Sequence, residues 1–265
     1  MSLPQLITQT WAYYANNKRP MVWRDSPTPY YVVVSELMLQ QTQVSRVQEK
    51  FPQFIATFPD FDTVSQASFE DLLSTWKGLG YNRRAKYLQE ISQIIVSQYN
   101  GSLPQEPEIL QTFPGIGKAT AGSISCFAFN LPTVFIETNI RRVFIHHCFS
   151  SKKTVSDAEI YPRLAQTIPE VNPREWYYAL MDYGTYLKSS VPNPNRRSTQ
   201  YTKQSPFHGS NRQVRSFIIE ALMKRPHTQK ELEDRISDSR LHDNLDQLQK
   251  EGFIHKDNNL YIIAK

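Results

Sequence analysis

The stretch Phe113–Gly122, FPGIGKATAG, decides the fold of this chain. Its glycines Gly115 and Gly117 allow a tight turn that exposes backbone N–H groups just ahead of a helix, and such a turn binds a phosphate without needing a charged side chain. Lys118 and Thr120 place a charge and a hydroxyl at the same turn. We interpret the stretch as a nucleic-acid backbone clamp, although a plain connector between two helices has the same local sequence.

Two carboxyl groups have environments that suit chemistry. Glu36 lies in the apolar stretch Tyr31–Leu39, where desolvation raises the pKa of a carboxyl group and suits it to donate a proton near neutral pH. Glu137 precedes a helix predicted to begin at Thr138 or Asn139, whose N-terminus stabilises an anion. Cleavage of a glycosidic bond requires such an acid and such an anion. Taken singly, a solvent-facing Glu36 and a merely capping Glu137 are the simpler interpretations.

The charge of the chain is modest and localised. The 265 residues carry a net charge of +5, and the segment Lys188–Arg215 contains six basic residues and no acidic one. This pattern favours a polyanionic partner. No apolar run is long enough to cross a bilayer and the N-terminus lacks a secretory signal, so we expect no membrane association and a cytoplasmic protein, nucleoid-associated or nuclear by function. Two cysteines, Cys126 and Cys148, are too few for a four-thiolate site, and we expect no bound metal.

Apolar residues recur three and four positions apart through most of the chain, and sustained strand patterns are missing before residue 250. The pattern predicts an all-α domain over residues 1–187, a basic irregular arm over residues 188–210 and a small C-terminal module over residues 211–265. The clearest predicted helices are Leu6–Tyr14, Val44–Phe58, Phe69–Trp76, Ala85–Tyr99 and Ile160–Ile168.

The C-terminal module has the sequence pattern of a winged helix-turn-helix. Three predicted helices are followed by a hairpin signal at residues 256–259, and the second helix begins with a capping box at residues 228–231. The apolar positions of the first helix include Val214 and Phe217. Acidic residues cancel the basic ones on the third helix, so DNA binding and docking of a protein partner are equally well supported.

Two polar segments are candidates for contact with DNA bases. Gln40–Gln43 interrupts an apolar run with amides that can probe base edges or enter a base stack, and a water-facing helix surface explains them as well. Gly78–Arg84 is a second glycine-bearing turn. Its Tyr81 can fill the gap left by an extruded base, or it can pack beneath the loop.

These motifs in this order resemble the helix-hairpin-helix glycosylase superfamily, and most closely its MutY-type adenine DNA glycosylases. The resemblance implies two helical subdomains with an active-site cleft. It also implies a monomeric, monofunctional DNA glycosylase of base excision repair that flips and hydrolytically removes a base, adenine in a mismatch, from double-stranded DNA. The motifs that carry it are Trp23-Arg24, Ser35–Val44, Trp76–Tyr81, Pro114–Gly122, Glu137–Asn139 and Met181–Gly184.

By this resemblance, Glu36 is the general acid, Glu137 stabilises the sugar cation and Asn139 assists at the sugar. Trp23, Arg24 and Leu39 are implied to line the base pocket. Two residues, Gln41 and Tyr81, are implied to enter the duplex around the flipped nucleotide, and we call them the wedge candidates. Further DNA contacts are predicted from the clamp (Gly115, Gly117, Lys118 and Thr120) and from the basic arm (Arg196 and Arg197).

The chain departs from the family pattern at four places. Glu137 stands where the family has an aspartate, and Ala119 matches the lysine that relatives use for strand cleavage, so we expect no strong lyase activity. The cysteines of the family's iron–sulfur site are absent after Leu187, so we expect no cluster. The C-terminal module stands in place of the family's oxidised-guanine-reading domain.

These departures leave other functions open. The same chemistry can act on a deaminated or alkylated base, or on thymine or uracil opposite guanine. A non-catalytic protein that binds damaged DNA keeps the same motifs if the change to Glu137 abolishes hydrolysis. A transcriptional regulator rests on the C-terminal module alone and leaves the paired carboxyl groups unexplained.

Overall fold

The helical periodicity of the sequence is realised in the computed structural model, which describes residues 1–264. Each of the five clearest predicted segments is helical, and the last of them ends at Ala165 rather than at Ile168. In chain order the first twelve helices are α1 (Leu3–Asn17), α2 (Val22–Asp25), α3 (Pro29–Leu39), α4 (Val44–Thr57), α5 (Phe61–Gln66), α6 (Phe69–Trp76), α7 (Arg83–Tyr99), α8 (Pro107–Leu110), α9 (Lys118–Phe129), α10 (Thr138–Cys148), α11 (Asp157–Ala165) and α12 (Pro173–Ser190). None of the helices in residues 1–264 has the length and apolar character of a membrane span.

The chain forms two compact units that are discontinuous in sequence. The first unit combines residues 1–36 with residues 103–203, and the second combines residues 37–102 with the chain from Gln204 onward. The C-terminal module therefore belongs to the same unit as helices α4 to α7. The boundaries predicted at residues 187 and 210 do not coincide with the boundaries of these two units.

Close packing of α10 against α12 organises the core of the first unit. Gly184 on α12 makes this packing possible, because a Cβ atom there would lie 2.4 Å from the carbonyl oxygen of Asn139. Nearby, the rings of Phe135 and Tyr177 stack with their centroids 4.0 Å apart. The N-terminus of α10, which carries two predicted site residues, is thus packed against a buried surface.

The predicted 188–210 arm is only partly irregular. Pro194–Arg197 forms a 3-10 turn, and Ser198 pairs with Val155 in an isolated parallel bridge. Pro194 and Asn195 are buried, whereas residues 201–209 are exposed. The arm therefore begins as a structural element of the first unit.

The C-terminal module contains the three predicted helices and the predicted hairpin. The three strands form an antiparallel sheet whose central strand is the last of the three in sequence, and Ile254 pairs with Ile263. The hairpin turns at Asn258 and Asn259, both with positive φ, a conformation that asparagine tolerates. The elements are α13 (Asn211–Leu222), β1 (His227–Thr228), α14 (Gln229–Arg235), α15 (Leu241–Lys250), β2 (Ile254–Asp257) and β3 (Leu260–Ile263).

Two details of the module differ from the prediction. The short strand β1 was not predicted, because two residues leave no alternation pattern to detect. Phe217, one of the apolar positions of the predicted first helix, is 45% exposed and lies outside the core. The capping box holds, since the Thr228 side chain accepts from the backbone N–H of Glu231 while the Glu231 carboxylate accepts from the backbone N–H of Thr228.

Candidate active site

The clamp turn lies between α8 and α9 in the first unit. Gly115 has a φ of 73°, a left-handed conformation that favours glycine. Gly117 has an ordinary φ of −88°, and a Cβ atom there would meet nothing within 4 Å among the described residues. Close packing therefore does not explain the glycine at position 117. Its open surface, followed by the exposed Lys118 and the half-buried Thr120, fits a clamp better than a plain connector.

Glu36 is held on α3 among fully buried apolar neighbours on the same helix, with Val34 and Leu37 beside it. Its Oε2 accepts a hydrogen bond from the hydroxyl of Ser123 on α9, and that hydroxyl also lies 2.9 Å from the Thr120 carbonyl oxygen. Burial raises the pKa of Glu36 to about 7, although the Ser123 hydrogen bond opposes the rise. The carboxyl group is therefore partly protonated at neutral pH.

Glu137 is the N-cap residue of α10, as the sequence predicts. Its Oε1 accepts from the backbone N–H groups of Asn139 and Ile140, at 2.7 and 2.9 Å. Its Oε2 accepts from the side-chain amide of Asn139 at 3.2 Å. Three N–H donors converge on this carboxyl group, which is an arrangement that matches an anion.

Burial raises the pKa of both carboxyl groups. For Glu137 the backbone N–H groups of Ile140 and Asn139 and the nearby guanidinium of Arg142 oppose the effect of burial. We expected the two environments to have opposite effects on the pKa, and the structure corrects this. Hydrogen bonding, rather than burial, distinguishes Glu137 from Glu36.

Arg142 is a site residue that the sequence did not predict. Its Nη1 donates to Oδ1 of Asn139 and to the carbonyl oxygen of Gly184, both at 2.6 Å. The first of these bonds orients the Asn139 amide so that its NH₂ group faces Glu137. No local pattern could reveal this role, because the guanidinium acts through contacts across two helices.

Arg24, predicted for the base pocket, is buried beside α12. Its guanidinium donates to Asp182 at 2.9 Å and lies 4.5 Å from the ring centroid of Tyr178. Arg19 also donates to Asp182, at 2.7 Å. Trp23, on the same short helix α2, is buried. The arginine favours the ionised form of Glu36, so it belongs to the surroundings of that carboxyl group.

The wedge candidates lie in the second unit, in two loops with left-handed residues. Gln41 has a φ of 56° and is exposed, and Tyr81 has a φ of 49° and is half-buried. Leu39, predicted for the base pocket, ends α3 just before the first loop. A non-glycine residue with positive φ is uncommon and clusters at functional sites.

Arg84 holds both of these loops together, a role that the sequence did not predict. Through Nη1 and Nη2 its buried guanidinium donates to Oγ1 of Thr42 at 3.0 Å and to five carbonyl oxygens, and its Nε donates to the carbonyl oxygen of Tyr81. The wedge candidates thus share one buried anchor. The five carbonyl acceptors of Nη1 and Nη2 are those of Leu37, Met38, Gln40, Leu79 and Gly80.

The two arginines of the basic arm have different surroundings. Arg196 is exposed, and among the described residues no acceptor is found for its side chain. Arg197 donates to the carbonyl oxygens of Ile145, Phe149, Ser150 and Lys152, so its guanidinium closes the C-terminal end of α10. The DNA contact of Arg196 stays a prediction. The guanidinium of Arg197 is engaged within the first unit, which leaves few of its N–H donors for a phosphate.

Comparison with known proteins agrees with this geometry. The family model described as HhH-GPD superfamily base excision DNA repair protein matches residues 34–170. The chain belongs to this superfamily, and the resemblance drawn from its motifs is confirmed. The match begins just before Glu36 and includes the clamp turn and Glu137.

Several curated relatives carry the name adenine DNA glycosylase. The one from Mycobacterium tuberculosis is 31% identical over 243 residues, which cover 81% of this chain and 77% of the relative. The one from Buchnera aphidicola subsp. Baizongia pistaciae is 34% identical over 179 residues, covering 66% of this chain and 50% of the relative. The chain spans half the length of the latter.

Solved structures share the fold at low sequence identity. A thermostable thymine-DNA glycosylase has a TM-score of 0.65 at 18% identity, covering 74% of this chain and 91% of that protein. Endonuclease III, trapped as a covalent intermediate with DNA, has a TM-score of 0.63 at 19% identity, covering 72% and 91%. The predicted helical glycosylase fold is confirmed.

Proposed function

We propose that the protein is a monofunctional DNA glycosylase that removes adenine from double-stranded DNA. The observation that carries the proposal is a pair of half-buried carboxyl groups with different partners. Glu36 has one hydroxyl partner and a pKa of about 7, whereas Glu137 accepts three N–H hydrogen bonds. The curated relatives named adenine DNA glycosylase support adenine as the base.

In this mechanism the protonated Glu36 donates its proton to a ring nitrogen of the flipped base. The bond between that base and C1′ of the sugar then breaks, and its electron pair leaves with the base. The sugar is left with a positive charge, which the Glu137 carboxylate stabilises. A water molecule adds to C1′ and loses a proton, so the products are the free base and an abasic site.

The residues of the clamp helix support hydrolysis without strand cleavage. A lyase needs an amine that can attack the sugar. Ala119 has none, and the neighbouring Lys118 has its Nζ 5.3 Å from the ring centroid of Tyr161. We infer that abasic sites made by the protein stay intact until alkali or another enzyme cleaves them.

We also propose that the protein holds no iron–sulfur cluster. The residues that follow Leu187 do not fit one, because Asn195 and Arg197 there donate hydrogen bonds to carbonyl oxygens of the first unit. The two thiols of the chain are Cys126 on α9 and Cys148 at the end of α10. Purified protein should be colourless, and stoichiometric iron in elemental analysis would refute the proposal.

The decisive experiment uses a panel of duplexes that each contain one test base. Adenine is placed opposite guanine, oxidised guanine or cytosine, and parallel duplexes carry thymine or uracil opposite guanine or an alkylated base. We expect strand breaks only at adenine and only after alkali treatment. Excision of another base would reassign the substrate, and binding without excision of any base would reduce the protein to a damage-binding function. Glu36→Gln protein serves as the matched inactive control.

A further inference from the structure

The loop that carries Tyr81 has an unfavourable backbone conformation, which contacts from other residues must stabilise. Gly78, Gly80 and Tyr81 have φ values of 95°, 70° and 49°. For a tyrosine this conformation costs free energy, and it persists only where surrounding contacts impose it. Arg84 supplies contacts from within the helical part of the second unit, with its Cζ 5.5 Å from the Tyr81 ring centroid.

A second set of contacts reaches Tyr81 from the end of the chain. Arg212, in the first turn of α13, donates through Nη1 to the Tyr81 hydroxyl at 2.6 Å. Its Cζ also lies 5.1 Å from the ring centroid, within cation–π range. The side-chain amide of Gln204 donates to the same hydroxyl. Tyr81 is therefore bound at its ring and at its hydroxyl by residues outside its own loop.

Arg212 is itself fixed in place. Its Nη2 donates to the carbonyl oxygen of Ser205 at 2.6 Å. One turn further along α13, Arg215 pairs with Glu251, which also pairs with Arg83 at the start of α7. These ion pairs join the C-terminal module to the helix that follows the Tyr81 loop.

Apolar and capping contacts complete the junction. Phe253 packs edge-on against Phe69 of α6, with ring centroids 5.3 Å apart. Lys86 of α7 donates to the carbonyl oxygens of Glu251 and Gly252 at the C-terminal end of α15. The module is thus docked at several points around the loop, and Arg212 connects it to the tyrosine.

We infer that the C-terminal module helps to insert Tyr81 into the duplex. Arg212 is a positioning residue that fixes the Tyr81 side chain for insertion beside the flipped base. The inference rests on the proposed function, because Tyr81 is taken as the residue that enters the duplex. Positioning of Tyr81 is a role for the module that requires neither contact of α15 with DNA bases nor a protein partner.

Full-length Arg212→Met protein tests the inference. It keeps the length of the side chain and removes the hydrogen bond to Tyr81. We expect the rate of single-turnover excision to fall about tenfold, the size of effect expected for one charge-assisted hydrogen bond. The rate of base flipping, measured by the fluorescence of 2-aminopurine placed beside the target base, should fall by the same factor. The salt dependence of DNA binding should stay unchanged, because Arg212 acts on Tyr81 and not on a phosphate. Arg212→Lys, which keeps the charge without the planar fork, should show part of the same loss.

Two controls separate positioning from loss of charge and from misfolding. Lys230→Met removes an exposed charge from α14 of the same module, and it should leave the flipping rate unchanged. Tyr81→Ala should lower excision on its own, and adding Arg212→Met to it should lower excision no further. Multiplying effects in the double variant, or wild-type flipping in Arg212→Met, would overturn the inference.

Amide hydrogen exchange of residues 77–84 gives a readout that needs no excision. We expect faster exchange there in Arg212→Met than in the wild type, with the melting temperature nearly unchanged. If the wild type excises no base, this measurement still shows whether Arg212 holds the loop, while the duplex panel alone decides the proposed function. Unchanged exchange in residues 77–84 would contradict the positioning role.

Discussion

Glu36 and Glu137 are the same residue type in the same compact unit, but the partners of their carboxyl groups differ. Glu36 lies among apolar side chains on the body of α3 and accepts one hydrogen bond, from Ser123. Glu137 begins α10 and accepts three, two of them from the helix backbone. Burial raises the pKa of both, so in the proposed mechanism the number of donors is what suits Glu36 to the acid role and Glu137 to the anion role.

The largest expected effect is the loss of the acid. Glu36→Gln keeps the shape of the side chain but has no proton to give, so single-turnover excision should fall about 10³-fold. Binding to the same duplex should change little. Retention of more than a tenth of the wild-type excision rate near neutral pH would remove Glu36 from the role of general acid.

A somewhat smaller loss is expected at the anion. Glu137→Gln removes the charge and turns an amide NH₂ group toward N–H donors, so excision should fall about 10²- to 10³-fold, as for loss of one preorganised electrostatic contact. Glu137→Asp keeps both the charge and the ability to cap α10. The aspartate variant should therefore keep more activity than the glutamine variant, and the reverse order would argue that shape rather than charge matters at this position.

Stability offers a separate test of the burial of Glu36. The folded protein holds the proton more tightly than the unfolded chain, so ionisation of Glu36 destabilises the fold as the pH rises from about 4.5 to about 7. Above that range the cost is ~3 kcal/mol. Glu36→Gln should be more stable than the wild type at pH 8 and nearly equal to it at pH 4, as measured by urea unfolding. Equal stability at both pH values would show that the carboxyl group is not desolvated.

Much of this comparison could be predicted from local sequence. The apolar stretch around Glu36 predicted its desolvation. The residues after Glu137 predicted a helix from Thr138 or Asn139, and α10 begins at Thr138. The partners could not be predicted in the same way. Ser123 lies 87 positions from Glu36, and Arg142 orients Asn139 from within α10 while bonded to a carbonyl on α12. Such contacts depend on how helices pack, which no periodic pattern records.

The same limit applies in the second unit. Glycines predicted a turn at residues 78–81, but the pattern did not show that Arg84 and Arg212 both contact Tyr81. Arg197 had a basic neighbourhood that predicted phosphate binding, whereas its guanidinium bonds four carbonyl oxygens. The charge of a sequence segment predicts the class of its partner, but only the structure shows which groups each charged side chain contacts.

A smaller effect is expected at Ser123. Ser123→Ala removes the only hydrogen bond found for the Glu36 carboxyl group within the described residues, so excision should slow about tenfold and its pH dependence should shift to higher pH. Ser125→Ala is the matched control, because that hydroxyl lies on the same helix and donates to Gln105 instead. An unchanged pH profile in Ser123→Ala would show that the hydroxyl does not act on Glu36.

The pH dependence of single-turnover excision at saturating enzyme tests the central claim most directly. The groups that face Glu36 are Arg24, Glu137, Tyr178 and Cys126, and burial raises the pKa of the tyrosine and the cysteine far above neutrality. Ionisation of Glu137, whose pKa is also raised by burial, produces the proposed anion and does not lower the rate, so the descending limb above neutral pH reports loss of the Glu36 proton. We predict a midpoint near pH 7 and a tenfold fall for each further pH unit, with no such limb in the residual activity of Glu36→Gln. A rate that stays constant or rises between pH 7 and pH 9 would contradict the assignment of Glu36 as the acid and Glu137 as the anion.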